Sequence, residues 1–262
     1  VMAPGQAWQT IERQSPNFGF TYAAHWFRFG IDNKTAGNLE RLIELPIPFI
    51  NEVHLYHFVA GKLVTEYTLG SLQPFRQRTV KHQNFVMPVT LASGHNTIIV
   101  RLASNGTIEA PFRIWDPIRF AEFNHDEKLA SGAIAGIMLV MILYNFFIYL
   151  TIRDVSYLFY IGFVASYLLF GFSLTGYTYD YVWPEAIYWN SIAISTFISC
   201  SSLFVNLFSL SFLKLREAAP AAYRIVVGME SNRARRGRAG GCHGHHRHGA
   251  GDRAVCAALS AR

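Results

Sequence analysis

Only three cysteines occur among the 262 residues, too few for a disulfide framework. Cys200 lies in an apolar run, and Cys242 and Cys256 lie near the end. No basic start followed by an apolar stretch occurs in residues 1–28, so those residues hold no secretory signal. If the first half is exported, the natural N-terminus is expected upstream of Val1. A phosphate loop, a dinucleotide fingerprint, a G-x-S-x-G elbow and an HExxH pair are all missing, which removes the nucleotide-binding and hydrolytic classes those motifs mark. Glu44 and Glu52 could be read as a hydrolase pair, but no spacing singles them out, and solvated strand faces are the simpler account.

Charge is also missing over long stretches. Residues 1–230 carry sixteen Lys or Arg against sixteen Asp or Glu, and the last 32 residues carry seven Arg against one Asp. The net charge of +6 therefore belongs to the tail. A nucleic-acid role built on the basic pI has no footing in the body of the chain.

What is present divides in two. From Trp26 to Trp115 the chain alternates apolar and polar residues in short runs. These are Trp26–Ile31, Leu39–Leu45, Val53–Phe58, Leu63–Tyr67, Phe85–Leu91, Thr97–Ala103 and Ala110–Trp115, separated by turn signals such as Ala60-Gly61 and Asn105-Gly106. Period-two runs at this spacing predict an antiparallel sandwich or jelly roll. Pro88 predicts an edge or a bulge within its run.

After a polar connector at 120–128, residues 129–152 hold no charge at all. Twenty-four residues at about 1.5 Å each reach about 36 Å, enough to cross a hydrocarbon core of about 30 Å. Residues 157–174 and 187–213 are second and third candidate spans. The third is rich in Ser and Asn, which suits packing against neighbouring helices. The 174–189 loop lacks Lys and Arg and carries six Tyr or Trp residues, whereas Arg153, Lys214, Arg216 and Arg224 follow the first and third spans. The positive-inside rule then places residues 1–128 and the aromatic loop outside the cytoplasm.

Residues 228–262 break this pattern. Arg, Ala, Gly and His dominate, and Phe, Tyr, Trp and Lys are absent from 231–262. Each Arg would cost about 2.5–3.5 kcal/mol at the centre of a span, so this is not the fourth span that Ala222–Val227 begins to resemble. A frameshift near 228–232 is the expectation. Cys242-His243-Gly244-His245-His246-Arg247-His248 has metal-ligand residue types, but no second ligand pair at finger spacing, and no metal is expected. A basic tail gripping anionic lipid would follow from charge alone.

Two sets of residues stand out for function. Gly70–Phe85 places Arg76, Arg78, Lys81, His82 and Asn84 beside Phe75 and Phe85 on an inter-strand segment. Donors mixed with flat apolar faces suit a sugar, a carboxylate or a small anion, and an ordinary basic loop is the competing reading. Within the first span, Tyr144 and Asn145 are polar in an apolar helix, where a packing hydrogen bond is the commoner outcome.

Several segments resemble the bacterial seven-transmembrane receptors with diverse intracellular signalling modules, with the second type of their extracellular domain. The matching pieces include His25-Trp26-Phe27-Arg28-Phe29, Asn51-Glu52-Val53-His54-Leu55-Tyr56, Tyr67-Thr68-Leu69-Gly70, Pro74-Phe75-Arg76-Gln77-Arg78 and His82-Gln83-Asn84-Phe85-Val86-Met87-Pro88. In the apolar half they include Leu143-Tyr144-Asn145-Phe146-Phe147, Arg153-Asp154-Val155-Ser156-Tyr157-Leu158 and Tyr181-Val182-Trp183-Pro184.

The resemblance implies an all-β, galactose-binding-like periplasmic sensor over residues 1–119, a connector at 120–128, and the first three of seven helices within 129–227, followed by the aberrant tail. It implies a cytoplasmic output module that this chain does not show, and no enzymatic activity in the chain itself. The expected setting is the bacterial inner membrane, crossed several times. The expected partners are the bilayer and a small molecule, carbohydrate or carboxylate, with a homodimer left open and with no nucleic acid and no cofactor. A membrane-anchored binding module and a periplasmic carbohydrate-active enzyme are the alternatives.

Overall fold

A computed structural model describes residues 8–10, 16–21, 23–212 and 256–260. It divides into two compact units. The first joins Val1–Glu127, Phe172–Ile192 and Gly251–Arg262, and the second joins Lys128–Gly171 and Ala193–Ala250.

In the first unit the alternating runs become strands β1 (Gln9–Thr10), β2 (Asn17–Phe20), β3 (His25–Asn33), β4 (Leu39–Leu45), β5 (Glu52–Val59), β6 (Lys62–Leu69), β7 (Phe85–Leu91), β8 (Gly94–Ala103), β9 (Thr107–Glu109) and β10 (Arg113–Trp115). Strands β3, β8, β5 and β6 pair antiparallel in that order, and β10, β4 and β7 form a second antiparallel sheet. The inward residues of the first sheet, among them Phe27, Phe29, Leu55, Ile98 and Val100, meet Ile43, Leu45, Phe85, Met87 and Leu91 of the second in one core. The domain is therefore an all-β sandwich. Burying a side chain of this size is worth about 1.5–3 kcal/mol, and alternation lets each strand contribute every second residue.

Local chemistry sets the strand ends. Ala60 and Gly61 both take positive φ, 49° and 78°, the paired left-handed turn that matches hairpin twist. Pro88 lies on β7, an edge of its sheet, where a missing N–H costs no ladder bond. The Tyr67 hydroxyl donates to the Pro88 carbonyl at 2.8 Å. The expected strand Ala110–Trp115 shrinks to Arg113–Trp115, because Pro111 interrupts it, and β9 forms before it. Strand β11 (Cys256–Ser260) lies between β1 and β3 and runs parallel to both. The sequence signals no strand there. The remaining tail, with its frameshift reading and the Cys242–His248 cluster, falls outside the described residues.

Helix α1 (Pro117–Ile152) is 36 residues long, about 54 Å at 1.5 Å per residue. The polar connector and the first apolar span are thus one uninterrupted helix. Asp116 Oδ1 accepts the Ile118 N–H at 3.0 Å, and Pro117 occupies the first helical position, where its lack of an N–H is harmless. No proline follows to break the helix, and Glu122, Glu127 and Lys128 are good helix formers. Helix α2 (Val155–Leu174) is capped by Asp154, whose Oδ1 accepts the Ser156 N–H at 2.8 Å. A short helix α3 (Tyr177–Tyr181) precedes α4 (Ile187–Phe212). By length and composition α1, α2 and α4 can each cross a membrane.

In the second unit α2 meets α4. A side chain on Gly162 would collide with the ring of Phe204, since an added Cβ would lie 2.7 Å from it. Tyr160 and Phe208 pack at 5.6 Å, and the Ser156 and Ser211 hydroxyls bond at 2.8 Å. Some polar residues of α4 also bond within the helix itself. Ser199, Asn206 and Ser209 donate to the carbonyls of Ser195, Ser202 and Val205.

Candidate functional site

The segment between β6 and β7 turns out to be a buried joint. Phe75, Arg78, His82, Gln83 and Asn84 are buried, whereas Arg76 is exposed and lies 3.9 Å from Glu185. Phe75, Arg78, His82, Asn84 and Phe85, five of the basic, amide and aromatic residues that stood out in the sequence, therefore face inward, for a reason visible in the backbone. Arg78 Nη1 donates to the carbonyls of His82 and Gln83 at 2.7 and 2.8 Å, and at 3.4 Å to that of Asn84. One guanidinium thus satisfies the carbonyls of an irregular stretch that no sheet could pair.

The guanidinium lies over three rings, Phe85 at 4.6 Å, Phe75 at 4.8 Å and Tyr179 at 5.8 Å. Among the described residues its Nε and Nη2 have no hydrogen-bond partner, nor does Gln83 Oε1. Burial pulls the Arg78 pKa down to about 10, against the pull of Tyr179 and Asp180. Burial likewise raises the Tyr179 pKa, with Arg78 opposing the rise.

Tyr179 comes from the loop joining α2 to α4, and that loop is docked on the β domain. The Tyr179 hydroxyl donates to the Gln73 carbonyl at 2.8 Å, Phe75 N–H to the Pro184 carbonyl at 3.3 Å, and Gln83 Nε2 to the Tyr177 hydroxyl at 3.3 Å. Gly176, with φ 82°, starts α3 against Pro48 and the Gln83 carbonyl. Any other residue there would be strained in backbone and crowded in space. The loop aromatics divide: Tyr177 and Tyr179 are buried in the β unit, while Tyr181 and Tyr188 remain exposed.

The other side of the joint holds the first turns of α1. The His82 Nδ1 accepts the Asn84 N–H at 3.1 Å, so Nε2 carries the proton and donates to Asn124 Oδ1 at 3.0 Å. The His82 ring packs on Phe120 at 5.2 Å. Asn84 Nδ2 donates to Glu44 Oε1 at 2.7 Å, and Trp115 Nε1 donates to Glu44 Oε2 at 2.7 Å. The Glu44 side chain is only 1% exposed, and a buried carboxylate is tolerable only with such donors. Arg113 stands 3.8 Å away. Trp115 in turn stacks on Phe123 of α1 at 4.9 Å. Gln83, Asn124 and Tyr179 were not singled out in the sequence, and Glu44, read there as part of a solvated strand face, is buried because Asn84 and Trp115 supply its carboxylate with donors.

Elsewhere, Asn145 Nδ2 donates to the Met141 carbonyl of its own helix at 2.8 Å, and Tyr144 is exposed. Glu52 sits on β5 of the large sheet and Glu44 on β4 of the small one. Asn33 is buried and bonded to the Gly37 and Leu91 carbonyls.

A β-sandwich joined to long apolar helices is an architecture that a family comparison can decide. The family model described as 7TMR-DISM extracellular 2 matches residues 1–116, and that described as 7TM diverse intracellular signalling matches residues 127–230. The chain belongs to the 7TM-DISM family. No curated protein matches it at a significant level. As a 7TM-DISM chain it is a membrane protein of the sensor and receptor type with an extracellular β domain, and both matched domains are sensory rather than catalytic. The boundary between the two matches, residues 117–126, falls on the first turns of α1, where Phe120, Phe123 and Asn124 engage the joint.

Proposed function

We propose that the β domain binds a small molecule, a carbohydrate or a carboxylate, on the periplasmic side of a bacterial inner membrane. The bound state is passed to the membrane helices through the segment 71–84. One observation carries the reading: this segment is gripped by α1 through His82–Asn124 and by the α2–α4 loop through Tyr177, Tyr179 and Pro184. A shift of the segment by a fraction of an ångström cannot be absorbed in so packed a joint. It would bias both connections to the helices at once. In this reading Phe75, Arg78, His82 and Asn84 transmit, and Arg76 with Glu185 is a solvent-screened outer contact.

A second reading, a carboxylate ligand at the joint itself, is favoured by the two Arg78 donors that have no partner among the described residues, a fork that suits a carboxylate.

The test is hydrogen exchange on the full chain in lipid nanodiscs with succinate, citrate or hexasaccharides. Transmission predicts that a bound compound changes protection in peptides covering 71–84, 117–127 and 175–186 together. Binding that leaves all three unchanged rejects transmission by this route. Loss of succinate or citrate binding in Arg78→Met, with the fold intact, supports the second reading.

A further inference from the structure

The core uses only the inward residues of the large sheet, and its outward residues form a surface of a different kind. Register places Trp26 of β3, Arg101 of β8, His54 of β5 and Thr68 of β6 side by side, and the next outward row is Arg28, Ile99, Tyr56 and Glu66. Four strands at about 4.8 Å spacing make each row roughly 14 Å long, longer than one monosaccharide. Three rings on this face are nearly parallel. Trp26 and Tyr56 are 6.3 Å apart at 18°, and His54 and Tyr56 are 6.4 Å apart at 7°. Trp8 adds a fourth ring, with the Arg28 guanidinium 4.7 Å from its centroid.

Polar groups are fixed among these rings. Arg101 donates to Glu52 at 2.8 Å, the His54 Nε2 lies 3.9 Å from the same carboxylate, and the His54 Nδ1 lies 3.2 Å from the Thr68 hydroxyl. The Arg101 and Glu52 side chains are 28% and 50% exposed, so both can serve a ligand while held by each other. Cations and anions balance here: Arg28 and Arg101 stand against Glu52 and Glu66. That balance gives no reason to hold an anion or a nucleic acid. Aromatic faces aligned along strands, with planar donors and acceptors between them, match a ligand with apolar C–H faces and hydroxyl edges.

We infer that the outer face of the β3–β8–β5–β6 sheet, centred on Trp26, Tyr56, His54 and the Arg101–Glu52 pair, binds a neutral oligosaccharide. The inference rests on the proposal that the β domain is a ligand sensor and places the ligand away from the 71–84 joint. The exposed pair is worth at most about 1 kcal/mol to stability, so substitutions on this face should be nearly silent in folding and visible in binding.

The experiment is isothermal titration of the full chain in nanodiscs with cellohexaose, xylohexaose and laminarihexaose, alongside Trp26→Ala, Tyr56→Ala and Arg101→Ala. The expected result is that at least one hexasaccharide binds, and that Trp26→Ala and Tyr56→Ala each weaken it by about tenfold or more without moving the melting temperature. Undiminished binding in both variants overturns the inference and leaves the sensor reading standing. Absence of binding by all three sugars up to about 10 mM also overturns it, and carboxylate binding in the parent would still support the sensor reading. A change of oligomeric state in Trp26→Ala, with no sugar bound by the parent, assigns the face to self-association instead.

Discussion

Replacing Arg78 by methionine separates what its hydrogen bonds contribute from what its burial costs. Two short bonds from a charged donor to carbonyl oxygens, at 2.7 and 2.8 Å, contribute about 1.5–3 kcal/mol each. Stacking on Phe75, Phe85 and Tyr179 adds about 1–2 kcal/mol, part of which methionine retains. Against this, the fall of the pKa to about 10 corresponds to roughly 3 kcal/mol by which burial disfavours the charge, and methionine removes that penalty. The net expectation is a loss of about 1–4 kcal/mol, or about 4–16 °C in melting temperature for a domain of this size. Arg78→Lys should be no better, because it keeps a buried charge but loses the planar fork that reaches two carbonyls while lying between rings. Differential scanning fluorimetry on the full chain in detergent reads both. A lysine variant that melts like the parent, beside a methionine variant far below it, would show that charge alone holds the segment and would refute the argument.

Further predictions follow from other contacts. Glu44→Gln turns one of two buried acceptors into a donor facing Asn84 or Trp115; it should cost about 1–3 kcal/mol and alter Trp115 emission, and unchanged stability and emission would contradict the described network. Cysteines in place of Ser156 and Ser211, whose hydroxyls are 2.8 Å apart, should cross-link under mild oxidation in a background without the native cysteines; Gly162→Leu should prevent it by forcing Phe204 away, and cross-linking unaffected by Gly162→Leu would count against this packing. Burial lowers the His25 pKa from 6.5, so the folded state favours the neutral ring. Its stabilisation is complete above pH 6.5 and is lost as pH falls through the lower folded value. Melting temperature should therefore drop less on acidification in His25→Phe than in the parent, and equal drops would refute the assignment.

The strands and helices were largely legible because burial imposes a period. Leu39–Leu45 and Phe85–Leu91 form strands end to end as their alternation suggests, and the third apolar run becomes α4 to within a residue. Strands β2 and β9 were not legible, since three or four residues cannot display a period. Helix α1 was split in two because the change from polar to apolar at Leu129 marks a change of surroundings, which a helix can cross without a break. The docked loop escaped for a different reason: tyrosine suits a lipid headgroup region and a protein surface equally, so composition cannot say which one Tyr177 and Tyr179 meet. Composition likewise singled out the segment 70–85, but the partners of Arg78 are backbone carbonyls, which every residue carries. The outer-face rows of Trp26 and Tyr56 depend on register between strands far apart in sequence, which no single run reveals.

Transmission through the joint depends most on the α2–α4 loop being folded onto the β domain, and a double-mutant cycle between Arg78→Met and Tyr179→Leu tests this without any ligand. Melting of the full chain and the three variants should give an interaction energy of about 1 kcal/mol, within the range found for residues in contact. Strictly additive losses would mean that Tyr179 does not lie against Arg78, and transmission through this joint would fail with it.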